Sequence, residues 1–226
     1  MAFMLCGTLI PACVIAYYGM TDRSGAFTLA NLVAIANGEH AKALGLSLLL
    51  AFASTVICLL LAFPLGLALK DSRLGKKGFM VFVFILPMWM NFLLRTMAWQ
   101  VLLEKNGIIN GMLASIGLPA LNIINTPAAV ILGMVYDYLP FMILPIYNAL
   151  IKIDNNLIEA AYDLGASKSL VFRKVIVPLS VPGIVSGVTM VFVPSLTTFA
   201  ISNMLGGGKV NLIGNIIEQE FTASSN

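Results

Sequence analysis

Five stretches of this chain run for about twenty residues or more with almost no charge, the length an α-helix needs to cross a bilayer. They are Met1–Met20, Ala43–Leu69, Gly78–Leu103, Pro127–Ile151 and Leu179–Asn203, and the only charged side chains inside them are Arg95 and Asp137. In hydrocarbon every backbone N–H and C=O must find a partner within the protein, which leaves helices and closed barrels. Barrel strands are short and alternate in polarity, whereas these runs are long and continuous. The chain therefore reads as an all-α, polytopic helical membrane protein, one transmembrane domain over residues 1–226 with five spans. The polar ending Thr222–Asn226 leads to the expectation of a sixth span beyond it.

Composition closes off the other classes. The chain is 59% hydrophobic and 10% charged, against about 25% charged in soluble domains. A disordered chain would show the opposite balance. Three cysteines, all in apolar runs, make no disulfide framework, and a net charge of +3 gives nucleic acid little to hold. The first run lacks a basic stretch before it, so it reads as a first transmembrane helix rather than a cleaved leader.

Orientation follows from the cations. Lys70, Arg73, Lys76 and Lys77 follow the second run; Lys152, Lys168, Arg173 and Lys174 follow the fourth; the other loops hold Arg23, Lys42, Lys105 and Lys209. The richer pair of loops belongs in the cytoplasm. The N-terminus is then inside, and residues 21–42, 104–126 and 204–226 are outside. Two outer elements are expected: an amphipathic piece over Thr28–Ile35 and a short helix within Asn106–Ile116.

The second cytoplasmic loop, Lys152 to Pro182, has the most structure written into it. Asn156, with Glu159 three residues on, reads as a capping box. The helix is expected to run through Leu164 and stop at Gly165. Ser167 or Ser169 then starts a second helix ending before Pro178. Leu157, Ala160, Ala161 and Leu164 share one face. Taken by periodicity alone this is a surface helix joining two spans. The full spacing says more: Glu159-Ala160-Ala161, Gly165, Val175 and Val177-Pro178 resemble the EAA motif of permease subunits of binding-protein-dependent ABC importers. The resemblance implies the all-α fold of type I ABC importer permeases (the MetI-like fold). It also implies that residues 154–178 form a coupling helix docking on an ATPase subunit, through Glu159, Ala160, Ala161, Gly165 and Pro178.

Further stretches are similar to the spermidine/putrescine permeases, of the PotB type in particular. They are Asn91–Thr96 with Trp99, Asn106–Asn110, Met134–Pro140 and Gly206–Lys209. The implied partners are an ABC ATPase dimer, a second permease subunit, an extracytoplasmic substrate-binding protein and membrane lipid, without nucleic acid. The implied activity is ATP-driven uptake of polyamines across a bacterial cytoplasmic membrane by alternating access. A permease for another small solute is the alternative within the class.

The chain itself shows no enzyme. Gly206-Gly-Gly-Lys209 is followed by Val210 and lacks the spacing of a phosphate loop, so ATP must be used by a partner and no cofactor is expected. His40 is the single histidine, and no group of ligands has metal spacing. An ion-driven secondary transporter would need intramembrane ion sites, and only Arg95 and Asp137 are available. Those two admit two readings. They form an ion pair between neighbouring helices, or Asp137 lines a cation path with Tyr136, Tyr138 and Trp89, whose aromatic faces suit an ammonium, with Arg95 in support. Pro87, Pro140, Pro145, Pro182 and Pro194 are hinges or fixed kinks. Gly183 and Gly187 form a GxxxG pattern that permits close helix contact.

Overall fold

The computed structural model describes residues 2–21, 26–29, 38–71, 83–84 and 86–224. Among them it is helical; one antiparallel bridge joins Thr21 to Phe27. Residues 30–35 of the outer element expected after the first run, the start of the third run before residue 83, and the cations Arg73, Lys76 and Lys77 lie outside the described residues.

The chain divides at Gly45 into two compact units. The first contains α1, Ala2–Gly19, which is the first expected span, and the start of α2, Gly38–Asp71. Helix α2 runs on through the boundary into the second unit. There follow α3 (Phe92–Leu103), α4 (Ile108–Ser115), α5 (Pro127–Ile151) and α6 (Asn155–Asp163). The chain then forms α7, Lys168–Thr197, and two short helices, α8 (Ala200–Gly206) and α9 (Ile213–Ser224).

Among the described residues three helices are long and apolar enough to cross a membrane: α2 with 34 residues, α5 with 25 and α7 with 30. At 1.5 Å per residue even α5 is about 37 Å long, more than the roughly 30 Å of a hydrocarbon core. The third apolar run is not one helix. A 3-10 turn at Leu86–Trp89 interrupts it, and α3 starts afresh at Phe92. Pro87 has no N–H to continue a helical ladder. Asn91 then caps the new start, its Oδ1 accepting from Leu93 N at 2.9 Å. The fifth run also differs from expectation. Its helix begins eleven residues before Leu179, at Lys168, and ends at Thr197, short of Asn203, after which Thr198 is extended and α8 turns away.

Hydrocarbon gives no hydrophobic drive between helices, so association here rests on close packing and on hydrogen bonds. Helix α7 lies antiparallel along α5, and the GxxxG pair makes this possible. A Cβ on Gly183 would stand 2.5 Å from Ala149 Cβ and 2.6 Å from the Pro145 carbonyl oxygen. One on Gly187 would stand 2.7 Å from Met142 Sδ. Only hydrogen fits at Gly183, and at Gly187 a larger residue must displace the Met142 side chain. Helix α2 runs parallel to α5: Leu50 shares a buried cluster with Ala129, Val130 and Met134, and Leu69 shares another with Leu150 and Ile153. Helix α8 folds onto the first of these clusters through Ile201 and Leu205, joined by Leu212 just before α9.

Asparagines fasten the irregular parts. Asn110 on α4 donates to the carbonyls of Glu104 and Leu121 and accepts from Leu121 N at 2.7 Å. Asn215, buried near the start of α9, accepts from Leu212 N and donates to Phe199 O and to Asn203, while Ser47 on α2 accepts from Ile213 N at 2.8 Å. The glycine run at 206–208 is the turn that joins α8 to α9, with Gly207 and Gly208 at φ 55° and 71°.

Candidate functional site

Two places carry chemistry that packing alone does not require. The first is the bracket formed by α6, its corner and the start of α7. Asp154 caps α6 by accepting from Asn156 N at 2.9 Å. The cap therefore lies two residues before Asn156, and the capping box expected with Glu159 does not form. Asp154 wins because the chain leaves α5 at Ile151 and is already extended at 154, with ψ 127°, the conformation a cap residue needs.

The other end is as the sequence predicts. Gly165 sits at φ 80°; its N–H donates to Tyr162 O at 2.8 Å, and Ala166 N donates to Ala161 O at 3.0 Å. This pair of bonds is a Schellman motif, which satisfies the last carbonyls of the helix and sets a fixed corner. Ser167, not Ser169, then caps the next helix through Leu170 N.

That helix does not end before Pro178. It widens into a π turn over Phe172–Ile176, where Val177 N–H reaches back to Phe172 O, and continues as the membrane-length part of α7. In α geometry the ring of Pro178 would crowd the carbonyl four residues back. A π turn immediately before it is the local adjustment that lets the helix pass. The bracket is thus continuous with a 30-residue helix.

Its faces divide by chemistry. Ile158 packs inward against the cluster of Leu69, Leu150 and Ile153. Leu157, Ala160 and Leu164 point outward, and Leu164 is 89% exposed. Glu159 and Gly165 are exposed too, Ala161 is half-buried, and Pro178 is exposed. Ala161, Leu164, Gly165, Leu170 and Lys174 line a cleft of about 400 Å³ in the angle of the bracket. The bracket thus presents an apolar stripe beside this cleft.

The second place is the buried pair. Arg95, in the first turn of α3, approaches Asp137 of α5 with Nε 3.3 Å from Oδ1, their side chains 6% and 2% exposed. Thr96 Oγ1 lies 3.1 Å from the other carboxylate oxygen and 2.9 Å from Phe92 O, and its single proton serves one of the two. Arg95 Nε and Nη1 and Asp137 Oδ1 are buried without a hydrogen-bond partner among the described residues, so the contact is one of charge rather than a hydrogen bond. The ion pair, one of the two readings open for these residues, is therefore present, with Thr96 as a third member that the sequence did not single out. Its signal was adjacency to Arg95 within the stretch Asn91–Thr96.

Of the aromatic residues named with Asp137, Tyr138 lies within reach of its charge and of that of Arg95. Tyr136 meets Trp99 edge to face, ring centroids 5.4 Å apart, beside an apolar groove that also holds Ile57 and Leu132. Tyr138 donates to Pro194 O at 3.4 Å, at the end of α7 where carbonyls lack helical partners. Trp89 stands on the 3-10 turn, 79% exposed.

A family model for the binding-protein-dependent transport system inner membrane component matches residues 59–224, which include the whole bracket. The chain belongs to this family. Spermidine/putrescine transport system permease protein PotB of Haemophilus influenzae is 38% identical over 226 residues, covering 96% of this chain and 79% of that one. PotB of Escherichia coli is also 38% identical, over 197 residues, 86% of this chain and 72% of its own. The inner membrane ABC transporter permease protein YdcU of Escherichia coli is 33% identical, covering 88% of this chain and 68% of that one. Among solved structures, a bacterial ABC transporter involved in the import of the acidic polysaccharide alginate matches with a TM-score of 0.77 at 16% identity, covering 99% of this chain and 82% of that chain. The all-α permease fold expected from the EAA motif is thus the fold found, in a membrane transport component of the family.

Proposed function

We propose that this chain is a permease subunit of an ATP-driven importer of polyamines, spermidine and putrescine, and that α6 and its glycine corner receive the motion of a separate ATPase. The observation that carries this reading is the bracket itself. It exposes leucine and alanine outside the membrane-length helices, it is held at a fixed angle by the Schellman bonds, and it is continuous with α7. A force applied at Leu164 has no loose joint to dissipate in. Glu159 supplies a carboxylate for a basic partner; Ala160 and Ala161 keep the surface low enough for close approach; Gly165 makes the corner; Pro178 sets the π turn. The relatives' substrates support polyamines as the cargo.

The partners are an ATPase pair, a companion permease and an extracytoplasmic binding protein, and the cycle is alternating access. Lys70, Lys152, Lys168, Arg173 and Lys174 flank the bracket, which supports its facing the cytoplasm, with the N-terminus inside and residue 226 outside. The buried Arg95–Asp137 contact favours a tie between α3 and α5 over a cation-binding carboxylate, because Asp137 already has its counter-charge.

Reconstitution of the complete transporter tests this. Leu164→Asp and Glu159→Lys are expected to leave insertion intact, to reduce ATPase subunit co-purifying with the permease, and to lower spermidine-stimulated ATP hydrolysis. Unchanged co-purification and hydrolysis in both variants would remove the docking assignment. Stimulation by an unrelated solute, and not by spermidine or putrescine, would remove the cargo.

A further inference from the structure

The end of α2 lies against the bracket, and one of its side chains is left in an unusual state. Gly66 lets α2 approach α5 so closely that a Cβ there would stand 3.2 Å from Leu150 Cδ1. Leu69 then enters the cluster that seats Ile158 of α6. The residue that follows is Lys70. Its Nζ is buried and has no hydrogen-bond partner among the described residues, and its side chain lines a cleft of about 360 Å³ together with Asp71, Asn155, Ile158, Glu159 and Tyr162.

An ammonium withdrawn from water without a partner carries a desolvation cost that a carboxylate relieves. Two carboxylates line the cleft. Asp71 is the next residue on the same helix, so it points about 100° away around the axis and moves with Lys70. Glu159 stands on α6, the opposite wall. Its separation from Lys70 is the one that changes when α6 is displaced.

We infer that Lys70 is a positioning residue for coupling: it pairs with Glu159 as α6 moves in the transport cycle, tying α6 to α2. The chain itself joins α6 only to α5 and α7. A Lys70–Glu159 pair recruits the third membrane-length helix, so that one push at the bracket moves all three. This rests on the reading of α6 as the ATPase-driven element, which the Leu164→Asp arm of the co-purification experiment above, untouched by Lys70, tests separately.

The test uses the complete transporter in proteoliposomes, resting and trapped with ATP and vanadate. A carbodiimide joins a lysine to a carboxylate directly when they are in contact, and peptide mass spectrometry identifies the product. The Lys70–Glu159 product is expected to rise about threefold or more in the trapped state, and Lys70→Met is expected to lower spermidine imported per ATP by a similar factor. Lys70→Arg should retain coupling. Lys70→Met should add nothing in a Glu159→Gln background, while keeping its full effect in an Asp71→Asn background. If Lys70→Met does not insert, Lys70→Gln takes its place in the same series. Equal cross-linking in both states, a product with Asp71 alone, or losses from Lys70→Met and Glu159→Gln that multiply would each overturn the assignment.

Discussion

Replacing Asp137 with leucine removes the counter-charge of Arg95 while keeping similar bulk in α5. Arg95 is 6% exposed, its Nη1 has no hydrogen bond even in the native protein, and Asp137 is its only ion-pair contact among the described residues. Losing one member of a buried pair strands the other and costs about 3–5 kcal/mol. That is at least about a hundredfold in the unfolding equilibrium constant. Removing both charges is different. Arg95→Met with Asp137→Leu leaves no stranded ion, and such apolar replacements are often neutral or stabilising. The double variant is therefore expected to be more stable than Asp137→Leu alone and within about 1 kcal/mol of the native chain. Asp137→Asn keeps a partner for Thr96 but not the charge, and should resemble the leucine variant more than the double one. Unfolding in mixed detergent and dodecyl sulfate, followed by circular dichroism, measures all four proteins. A loss below about 1 kcal/mol for Asp137→Leu, or a double variant less stable than the single, would refute the account of the pair as a tie between α3 and α5.

Two further outcomes follow from backbone geometry. Gly183→Leu places carbon where Ala149 Cβ and the Pro145 carbonyl already stand; α7 must move off α5, with a loss of about 1–3 kcal/mol or more, read by the same unfolding assay, and Gly183→Ala should show a smaller part of it. Gly165→Val puts a β-branched residue at φ 80°, where an L side chain costs about 1–2 kcal/mol. The expected result is a frayed corner, seen as faster amide exchange at Gly165 and Ala166 positions and as weaker spermidine-stimulated ATP hydrolysis, with membrane insertion unchanged.

Much of this protein is legible before any coordinates. The continuity of its apolar runs dictates helices, because hydrocarbon accepts no other open backbone. Gly165 announces its own left-handed cap, because a positive φ is nearly free only for glycine. The EAA spacing names the family because it fixes residue types at a helix, a corner and a second helix at once. These are local properties: each depends on one residue and its near neighbours along the chain. Where local rules compete, the reading errs. Asp154 and Asn156 are both good caps, and the choice falls to Asp154 because the chain leaving α5 is already extended there. Pro178 is expected to stop a helix, yet the π turn at Phe172–Ile176 carries the helix past it.

Contacts between helices are decided elsewhere. No pattern in the sequence says that Gly183 and Gly187 face Pro145, Ala149 and Met142 rather than lipid. None says that Tyr138 turns to the end of α7 while Asp137 turns to Arg95 and Thr96, or that Lys70, its ammonium buried, and Glu159 line one cleft. In a membrane the apolar surface of a helix is equally content against lipid or protein, so hydropathy carries no information about partners. The partners are set by shape and by the few polar groups that must meet, and those meetings exist only once the helices are packed.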